Sequence, residues 1–282
     1  MRLSIFYDHL QEIGTQKRLG MPEILAQARQ CGIDGVELHL VSLLAEGDRI
    51  LPELAAAGLC VSSVYETYAW GDDAETEPGK NQIDAACQAG ADRILIVPGF
   101  LPEAEAQFLT ARRGSPSETA AAMEASEKIR HIRTALRQAV SYGKSRDVTV
   151  TLEDYDGRTA PYAAMNQLLW WVRQVDGLRI TLDTGNFAFS DEDAWQAYRL
   201  LRPYVAHVHV KDRAKEASAS AGNRYNHGLA PSPVGSGYMP IAAIVKDLKA
   251  TGYDGFLAIE HFGAADQLDF MRRSAKYLNT MR

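Results

Sequence analysis

The sequence predicts an α/β protein of the (β/α)8 TIM barrel class, and three observations support this. Short segments rich in β-branched residues alternate with longer helical segments along all 282 residues. Several helical segments end at a glycine just before the next short segment, as at Gly32, Gly58 and Gly252. Eight pairs in strict alternation are typical of a parallel barrel, which commonly reaches about 250 residues as one domain. We therefore expect a single barrel domain spanning residues 1–282.

The predicted strands and helices alternate in order. Strands are expected at residues 3–7, 35–38, 59–65, 93–97, 148–152, 178–182, 205–210 and 256–259. Helices are expected at residues 22–31, 49–57, 78–89, 117–142, 162–175, 193–200, 240–250 and 264–278. The alternative is a doubly wound open sheet. Its glycine-rich phosphate turn would follow the first strand, where this chain reads YDHLQEIG instead.

Two long segments are predicted to be loops. Residues 100–115 follow the fourth strand, and residues 211–237 follow the seventh strand and are rich in Ala, Ser, Gly, Asn and Pro. Loops at the carboxyl ends of barrel strands shape the active site. Loop 211–237 is therefore either a lid or substrate wall, or a disordered surface insertion.

Composition narrows the class of protein. The formal net charge of −6 argues against a nucleic-acid or acidic-membrane partner, because both prefer a basic surface. The scattered cysteines Cys31, Cys60 and Cys87 are expected to be reduced, buried thiols. No apolar run of signal-peptide or membrane-spanning length is visible. We therefore expect a cytoplasmic protein.

Four predicted strands end in side chains that can bind a metal: Glu153, Asp183, His209 and Glu260. Successive strand residues face opposite sides, so Glu153 shares a face with Thr149 and Thr151 while the apolar residues between them share the other. The same division holds in the other three strands. All four side chains should therefore point into the barrel at its carboxyl-terminal rim, where adjacent strands bring them together.

Carboxylates packed this closely would repel one another unless a cation lay between them. Three oxygen ligands and one imidazole suit a divalent ion. We expect one such ion, with Mn²⁺ favoured and Mg²⁺, Co²⁺ or Zn²⁺ as alternatives. Glu153 and Glu260 come from strands far enough apart to flank a substrate. They are the expected acid–base pair for proton transfer through a metal-bound cis-enediolate.

At these residues the chain resembles the xylose isomerase-like superfamily of sugar and sugar-phosphate isomerases and epimerases, with the ketose 3-epimerase and inosose-processing branches closest. The resemblance covers essentially the whole chain and is clearest at GIDGVE (32–37), LED (152–154), LDTGN (182–186), HVHVKD (207–212), VGSG (234–237) and GYDGFLAIE (252–260). It implies the same four metal ligands and the same acid–base pair. The family's substrate-contacting histidine is replaced by Asn186, which leaves the sugar specificity open. Strands three and four lack the extra histidines of the related apurinic endonucleases.

Further residues are candidates for substrate contact. Glu37 and His39 share the inward face of the second strand and either bind sugar hydroxyls or serve as rim polar groups. Lys211 either neutralises neighbouring carboxylates, binds a substrate anion or is solvated, and Arg213 is a candidate for a phosphate or carboxylate. Tyr65, Tyr68 and Trp70 are candidates for an apolar wall against a sugar ring.

The leading functional hypothesis is a metal-dependent isomerase or epimerase of a small-molecule sugar or sugar phosphate. The second is a lyase on the same scaffold that dehydrates an inosose or 3-dehydroshikimate. The third is a catalytically silent sugar-binding barrel. A homo-oligomer is compatible with each of them.

Overall fold

In the computed structural model, which describes residues 1–71, 77–216 and 227–282, eight parallel strands close into a barrel. The predicted fold class is therefore confirmed. In chain order the barrel strands are β1 (Arg2–Phe6), β2 (Gly35–His39), β3 (Cys60–Thr67), β4 (Arg93–Val97), β5 (Thr149–Glu153), β6 (Arg179–Asp183), β7 (Val205–Val210) and β10 (Phe256–Ile259). Two two-residue strands, β8 (Asp212–Arg213) and β9 (Pro231–Ser232), form a separate antiparallel ladder. Strand β1 pairs with both β2 and β10, which closes the barrel and leaves no free edge.

The helices form the outer layer, where they cover the apolar faces of the strands. They are α1 (Tyr7–Lys17), α2 (Met21–Gln30), α3 (Leu40–Ala56), α4 (Lys80–Gln88), α5 (Glu103–Thr110), α6 (Pro116–Ala125), α7 (Glu127–Ser145), α8 (Met165–Gln174), α9 (Ala194–Leu201), α10 (Ile241–Ala250) and α11 (Gln267–Asn279). Two short 3₁₀ turns lie at Asn186–Ala188 and Arg202–Tyr204. None of the helices in the described ranges is both long enough and apolar enough to cross a membrane.

Some predicted element boundaries were wrong. Helix α1 was not predicted. Its sequence YDHLQEIGTQK contains a glycine, and its apolar pattern is weak because only four of its side chains are buried. Residues 100–115 were predicted as a loop, but they contain α5, a polar helix of two turns with two buried residues. The predicted helix 117–142 is two helices, because Ser126 leaves the helical conformation and caps α7 by accepting a hydrogen bond from the Ile129 N–H.

A bulge in β7 determines which side chains face the barrel interior. Ile180 of β6 is level with Val205, but the next residue, Thr181, is level with His207, so Ala206 is an extra residue. Side chains alternate along a strand, and one extra residue reverses their phase. The bulge therefore brings His209 level with Asp183 on the inner face. The Ala206 carbonyl at the bulge accepts a 2.8 Å hydrogen bond from Arg93 Nη1.

The described residues of loop 211–237 include one buried carboxylate that holds several backbone groups. Asp212 accepts hydrogen bonds from the backbone N–H groups of Gly235, Gly237 and Met239 at 2.9–3.1 Å, which fixes the end of the loop against β8. Residues 217–226 lie outside the described residues, so the lid or substrate wall expected in this loop stays a prediction.

The cysteine prediction was partly wrong. All three thiols are free, but Cys60 at the start of β3 is exposed, and Cys31 and Cys87 are only half-buried. Helix-end and strand-start positions lie at the barrel surface, which explains why these thiols are not in the core.

Candidate metal centre

Four side chains meet at the carboxyl-terminal mouth of the barrel. Each offers one ligand atom, and these atoms all lie within 4.8 Å of one another. The four residues are Glu153, Asp183, His209 and Glu260, all of them buried. The first three end or nearly end their strands, and Glu260 directly follows β10. This buried cluster could therefore bind a metal ion.

His209 lies at the centre of the cluster. Its Nδ1 atom is 2.5 Å from Glu153 Oε1 and 3.1 Å from Glu260 Oε2. Lys211 is the next residue after His209 whose side chain faces the cluster, and its Nζ atom is 2.5 Å from Glu260 Oε1. Two side-chain cations thus face the carboxylates from two sides.

Asp183 offers a carboxylate oxygen suited to a cation. Its Oδ1 atom accepts hydrogen bonds from the backbone N–H groups of Gly185 and Asn186 at 2.6 and 2.8 Å. Its Oδ2 atom is buried without a hydrogen bond from any described residue, although Lys211 Nζ lies 3.4 Å away. A buried carboxylate oxygen needs a partner. An ion shared with Glu153, Glu260 and His209 would supply one, so these residues fit a divalent metal.

The three carboxylates of the cluster are buried close together, so their negative charges are unfavourable. Burial and the neighbouring charges of Glu260 and Glu153 raise the pKa of Asp183 well above its usual range, although Lys211 opposes the shift. Burial also raises the pKa of Glu153, with His209 opposing it. For Glu260 burial is outweighed by Lys211 and His209, which hold its pKa well below the usual range. A divalent cation would relieve the unfavourable charge of the first two groups.

A cavity of about 330 Å³ opens onto this cluster. Its lining comprises Phe6, Tyr65, Thr67, Leu95, Val97, Glu153, Tyr155, Asp156, Asn186, His209, Lys211, Glu260 and Phe262. The volume is at the small end of the range for ligand pockets. A larger cleft of about 810 Å³ lies at the opposite end of the barrel, beside Thr149 and Arg179, where β5 and β6 begin. We regard the smaller cavity as the candidate site, because it contains the converging acids.

Asn186, Lys211 and Arg213 form one hydrogen-bonded group beside the acids. The Asn186 Oδ1 atom accepts from Lys211 Nζ at 2.8 Å and from Arg213 Nη2 at 3.1 Å. Arg213 also donates to the carbonyls of Gly185 and Leu229 and to Asp156. Asn186 and Lys211 line the cavity, whereas Arg213 is engaged by protein oxygens on several sides.

Glu37 and His39, both predicted on the inner face of β2, lie in different surroundings. Glu37 is completely buried, with its carboxylate between His207 and His209. Burial would raise the pKa of Glu37, but these two histidines lower it to about 2. His39 is partly exposed, 3.5 Å from Glu66 and edge-on to the ring of Tyr65.

Among the aromatic residues expected to form a wall, only Tyr65 lines the cavity. Trp70 is buried with 1% of its surface exposed, and Tyr68 stacks on it and donates a hydrogen bond to Gln82. The expected wall was therefore wrong for Tyr68 and Trp70. The other aromatic rings lining the cavity are Phe6, Tyr155 and Phe262.

Two acids near the site were not predicted. Asp154 is buried, and its Oδ1 atom accepts a hydrogen bond from the Asp183 N–H at 2.8 Å. Asp156 lines the cavity 3.1 Å from Arg213 and 3.7 Å from Lys211. Asp154 is part of the LED motif at residues 152–154, but no role was assigned to it. The sequence signal for Asp156 was its position just after β5, at the barrel end where active-site loops lie.

The fold and the site together define a barrel with a buried acidic cluster that could hold a metal. A family profile described as xylose isomerase-like TIM barrel matches residues 25–281. The chain therefore belongs to the xylose isomerase-like TIM barrel family, as the resemblance implied. No curated protein matches the chain significantly.

Several solved structures share this fold, and their names refer to different activities. The chain is similar to the probable 3-DHS dehydratase AsbF of Bacillus anthracis, with a TM-score of 0.70, 20% identity and 99% of each chain covered. A D-tagatose 3-epimerase-like protein has a TM-score of 0.69 and 16% identity, covering 100% of this chain and 98% of that one. A xylose isomerase-like barrel of Mycobacterium smegmatis, solved with magnesium, has a TM-score of 0.64 and 19% identity, covering 92% and 87%. At these identities the likeness shows the fold.

Proposed function

We propose that this protein is a divalent-metal-dependent isomerase or epimerase of a sugar or sugar phosphate. The observation that supports it most is the convergence of Glu153, Asp183, His209 and Glu260 at the base of a cavity of about 330 Å³. These four residues would hold the metal. When bound, the ion would act as a Lewis acid toward a carbonyl and its neighbouring hydroxyl.

Glu153 and Glu260 are proposed as the proton-transfer pair. Their carboxylates lie on either side of His209 Nδ1, and both line the cavity. Lys211 keeps Glu260 ionised, which suits it to take a proton from the carbon next to a carbonyl. Burial raises the pKa of Glu153, which suits it to return one. Return to the opposite face gives an epimer, whereas delivery to the adjacent carbon gives an isomer.

The remaining polar groups are proposed to orient the substrate. Lys211 and Asn186 line the cavity, and the Lys211 ammonium is a donor for hydroxyl or carbonyl oxygens. Asn186 would hold that ammonium in place through its Oδ1 atom, since its Nδ2 atom donates to the Asp154 carbonyl. Arg213 already donates to Gly185, Leu229 and Asp156, so we propose that it shapes the wall and that an anion would have to displace Asp156 to reach it. Glu37 and His39 are not proposed as primary sugar contacts.

The test is hydrogen exchange in D₂O. Incubation of the Mn²⁺-loaded protein with a panel of ketoses should incorporate deuterium α to the carbonyl, and Glu153→Gln should lower the rate by about 10²–10⁴-fold. The matched control is Glu192→Gln, which alters a buried glutamate that accepts a hydrogen bond from the Met165 N–H instead. A metal-loaded protein that exchanges no α-hydrogen in any sugar would contradict the proposal.

A dehydratase is the second candidate, and the likeness to the probable 3-DHS dehydratase AsbF favours it. Proton removal would be the same, but a β-hydroxyl would leave instead of a proton returning. An unsaturated product that absorbs in the ultraviolet would identify this reaction. A silent sugar-binding barrel, the third candidate, would bind sugar and show neither product nor exchange.

The identity of the metal, the partner, the domain organisation, the location and the oligomeric state are also proposals. We propose Mn²⁺ as the ion, with Mg²⁺, Co²⁺ and Zn²⁺ as alternatives, and a sugar or sugar phosphate as the partner rather than nucleic acid or membrane. We also propose a single domain, a cytoplasmic location and a homo-oligomer.

A further inference from the structure

A buried carboxylate lies directly behind His209, on the side away from the cavity. Glu37 Oε2 is 3.2 Å from His209 Nε2, and Glu37 Oε1 is 2.5 Å from His207 Nε2. All three residues are at most 1% exposed. The chain therefore places His207, Glu37 and His209 in one buried row next to the acidic cluster.

The two ring nitrogens of His209 face different groups. Nδ1 faces Glu153 and Glu260, whereas Nε2 faces Glu37. A carboxylate accepts hydrogen bonds and does not donate them, so the nitrogen next to Glu37 must carry a proton. By the same rule Nδ1 carries a proton beside Glu153 and Glu260 in the metal-free protein, and a metal held by those acids would replace that proton and take the Nδ1 lone pair.

His207 completes the row on the other side of Glu37. Its Nε2 atom is the donor to Glu37 Oε1, and its Nδ1 atom is buried without a hydrogen bond from any described residue. The Glu37 carboxylate thus receives one N–H from each histidine. Two donors on different oxygens fix the plane of the carboxylate and hence the direction in which it accepts from His209.

We propose that Glu37 is a positioning residue that fixes His209 with Nδ1 toward the metal, and that His207 holds Glu37 in place. This inference rests on the metal site of the proposed function. Carboxylates that accept the second N–H of a metal-binding histidine typically contribute about 10–100-fold to metal affinity. Glu37 acts here through His209 and does not touch the substrate.

The competing explanation is a second metal ion bound by Glu37, His207 and His209. Ligand atoms of these three residues also lie within 4.8 Å of one another. Such an ion would need the same His209 nitrogen that donates to Glu37, and His209 would then have to lose both ring protons to serve two ions. We therefore favour the hydrogen-bonded row, and the number of ions per chain distinguishes the two.

The first experiment measures metal affinity. Mn²⁺ is titrated into wild-type protein, Glu37→Gln and the matched buried control Glu192→Gln, with free Mn²⁺ followed by electron paramagnetic resonance. The expected result is one ion per chain in all three, with the dissociation constant raised about 10–100-fold in Glu37→Gln alone. An unchanged dissociation constant in Glu37→Gln, or two ions per wild-type chain, would overturn the proposal.

The second experiment uses wild-type protein and so does not depend on the folding of a variant. Protein labelled with ¹⁵N-histidine and loaded with Zn²⁺ should show His209 with its proton on Nε2 and the metal on Nδ1 in long-range ¹H–¹⁵N spectra. A proton on Nδ1 would overturn the proposal. Failure of wild-type protein to bind any metal would instead contradict the proposed function, so the two failures are distinguishable.

Discussion

Lys211 carries its ammonium group into the acidic cluster that the metal would neutralise. Its Nζ atom is 2.5 Å from Glu260 and 3.4 Å from Asp183, and its side chain is only 7% exposed. Burial would lower the pKa of Lys211, but Asp183, Glu260 and Asp156 raise it, so the group stays charged. A fixed positive charge a few ångströms from the site opposes a second cation.

We predict that Lys211→Met binds Mn²⁺ more tightly than the wild type, by about tenfold or about 1.4 kcal/mol, because the opposing charge is gone. The metal-free variant should also be less stable, since its carboxylates lose a partner. Isothermal titration calorimetry checks the affinity, with the exposed Lys144→Met as the control. Equal or weaker binding in Lys211→Met would mean that the ammonium leaves the cluster when metal enters.

At the residue scale, the direction of a side chain could be predicted from the sequence where the residue lies in a strand. The strand ends and their alternation predicted the meeting of Glu153, Asp183, His209 and Glu260, because strand geometry fixes the direction of each side chain. Asp156 follows a strand by three residues, where no periodicity constrains the backbone. The inward direction of Glu37 was predictable, but its pairing with His207 was not, because it depends on the depth of each residue in the barrel.

At the element scale, the bulge at Ala206 decides whether the histidines of β7 face the site. If Ala206 paired with Thr181 instead of forming the bulge, a register that starts at Val205 opposite Ile180 would place Val208, and not His209, beside Asp183. Alternation within the strand predicted that His207 and His209 share a face, but it could not say how that face is aligned with β6. The same limit applies to helix α1, whose short amphipathic pattern is too weak to predict.

We predict that deletion of Val208 abolishes high-affinity Mn²⁺ binding, with the dissociation constant rising more than about 100-fold. Without Val208, His209 would come level with Leu182 instead of Asp183 and would leave the inner face. The control is deletion of Ala206, which removes the bulge but leaves His207 level with Thr181 and His209 level with Asp183. Wild-type affinity in the Val208 deletion, or an equal loss in the Ala206 deletion, would contradict this account of the register.

At the scale of the whole molecule, the four proposed ligands come from four neighbouring strands of the closed barrel. Strands β5, β6, β7 and β10 are consecutive in the sheet order, so one ion would link half of the barrel wall at its mouth. The other half is joined to it at the seam between β1 and β10, where Arg282 also pairs with Asp34 at 2.7 Å. The closed topology was predictable from alternation alone, whereas the ion pairs that join the chain ends were not.

A ligand that binds only the folded state stabilises it by RT ln(1 + [L]/Kd), which is about 2.7 kcal/mol at a concentration of 100 Kd. For a chain of this size that corresponds to a rise in Tm of roughly 5–10 °C. Mn²⁺ at that concentration should therefore raise the Tm of the wild type by this amount relative to protein in EDTA. Asp183→Asn should show a much smaller rise, because a neutral amide oxygen is a weaker ligand for a divalent cation than a carboxylate oxygen.

For Asp183→Asn without metal, in EDTA, we predict the opposite effect on stability. Asparagine keeps the acceptor for the N–H groups of Gly185 and Asn186. It also replaces a carboxylate whose pKa burial and the neighbouring acids raise well above its usual range. Metal-free Asp183→Asn should therefore melt at or above the temperature of the metal-free wild type. Since each protein is scanned with Mn²⁺ and with EDTA, the order of stability should reverse between the two conditions. A variant that is less stable in both would mean that Asp183 serves packing within the barrel and not the binding of a cation.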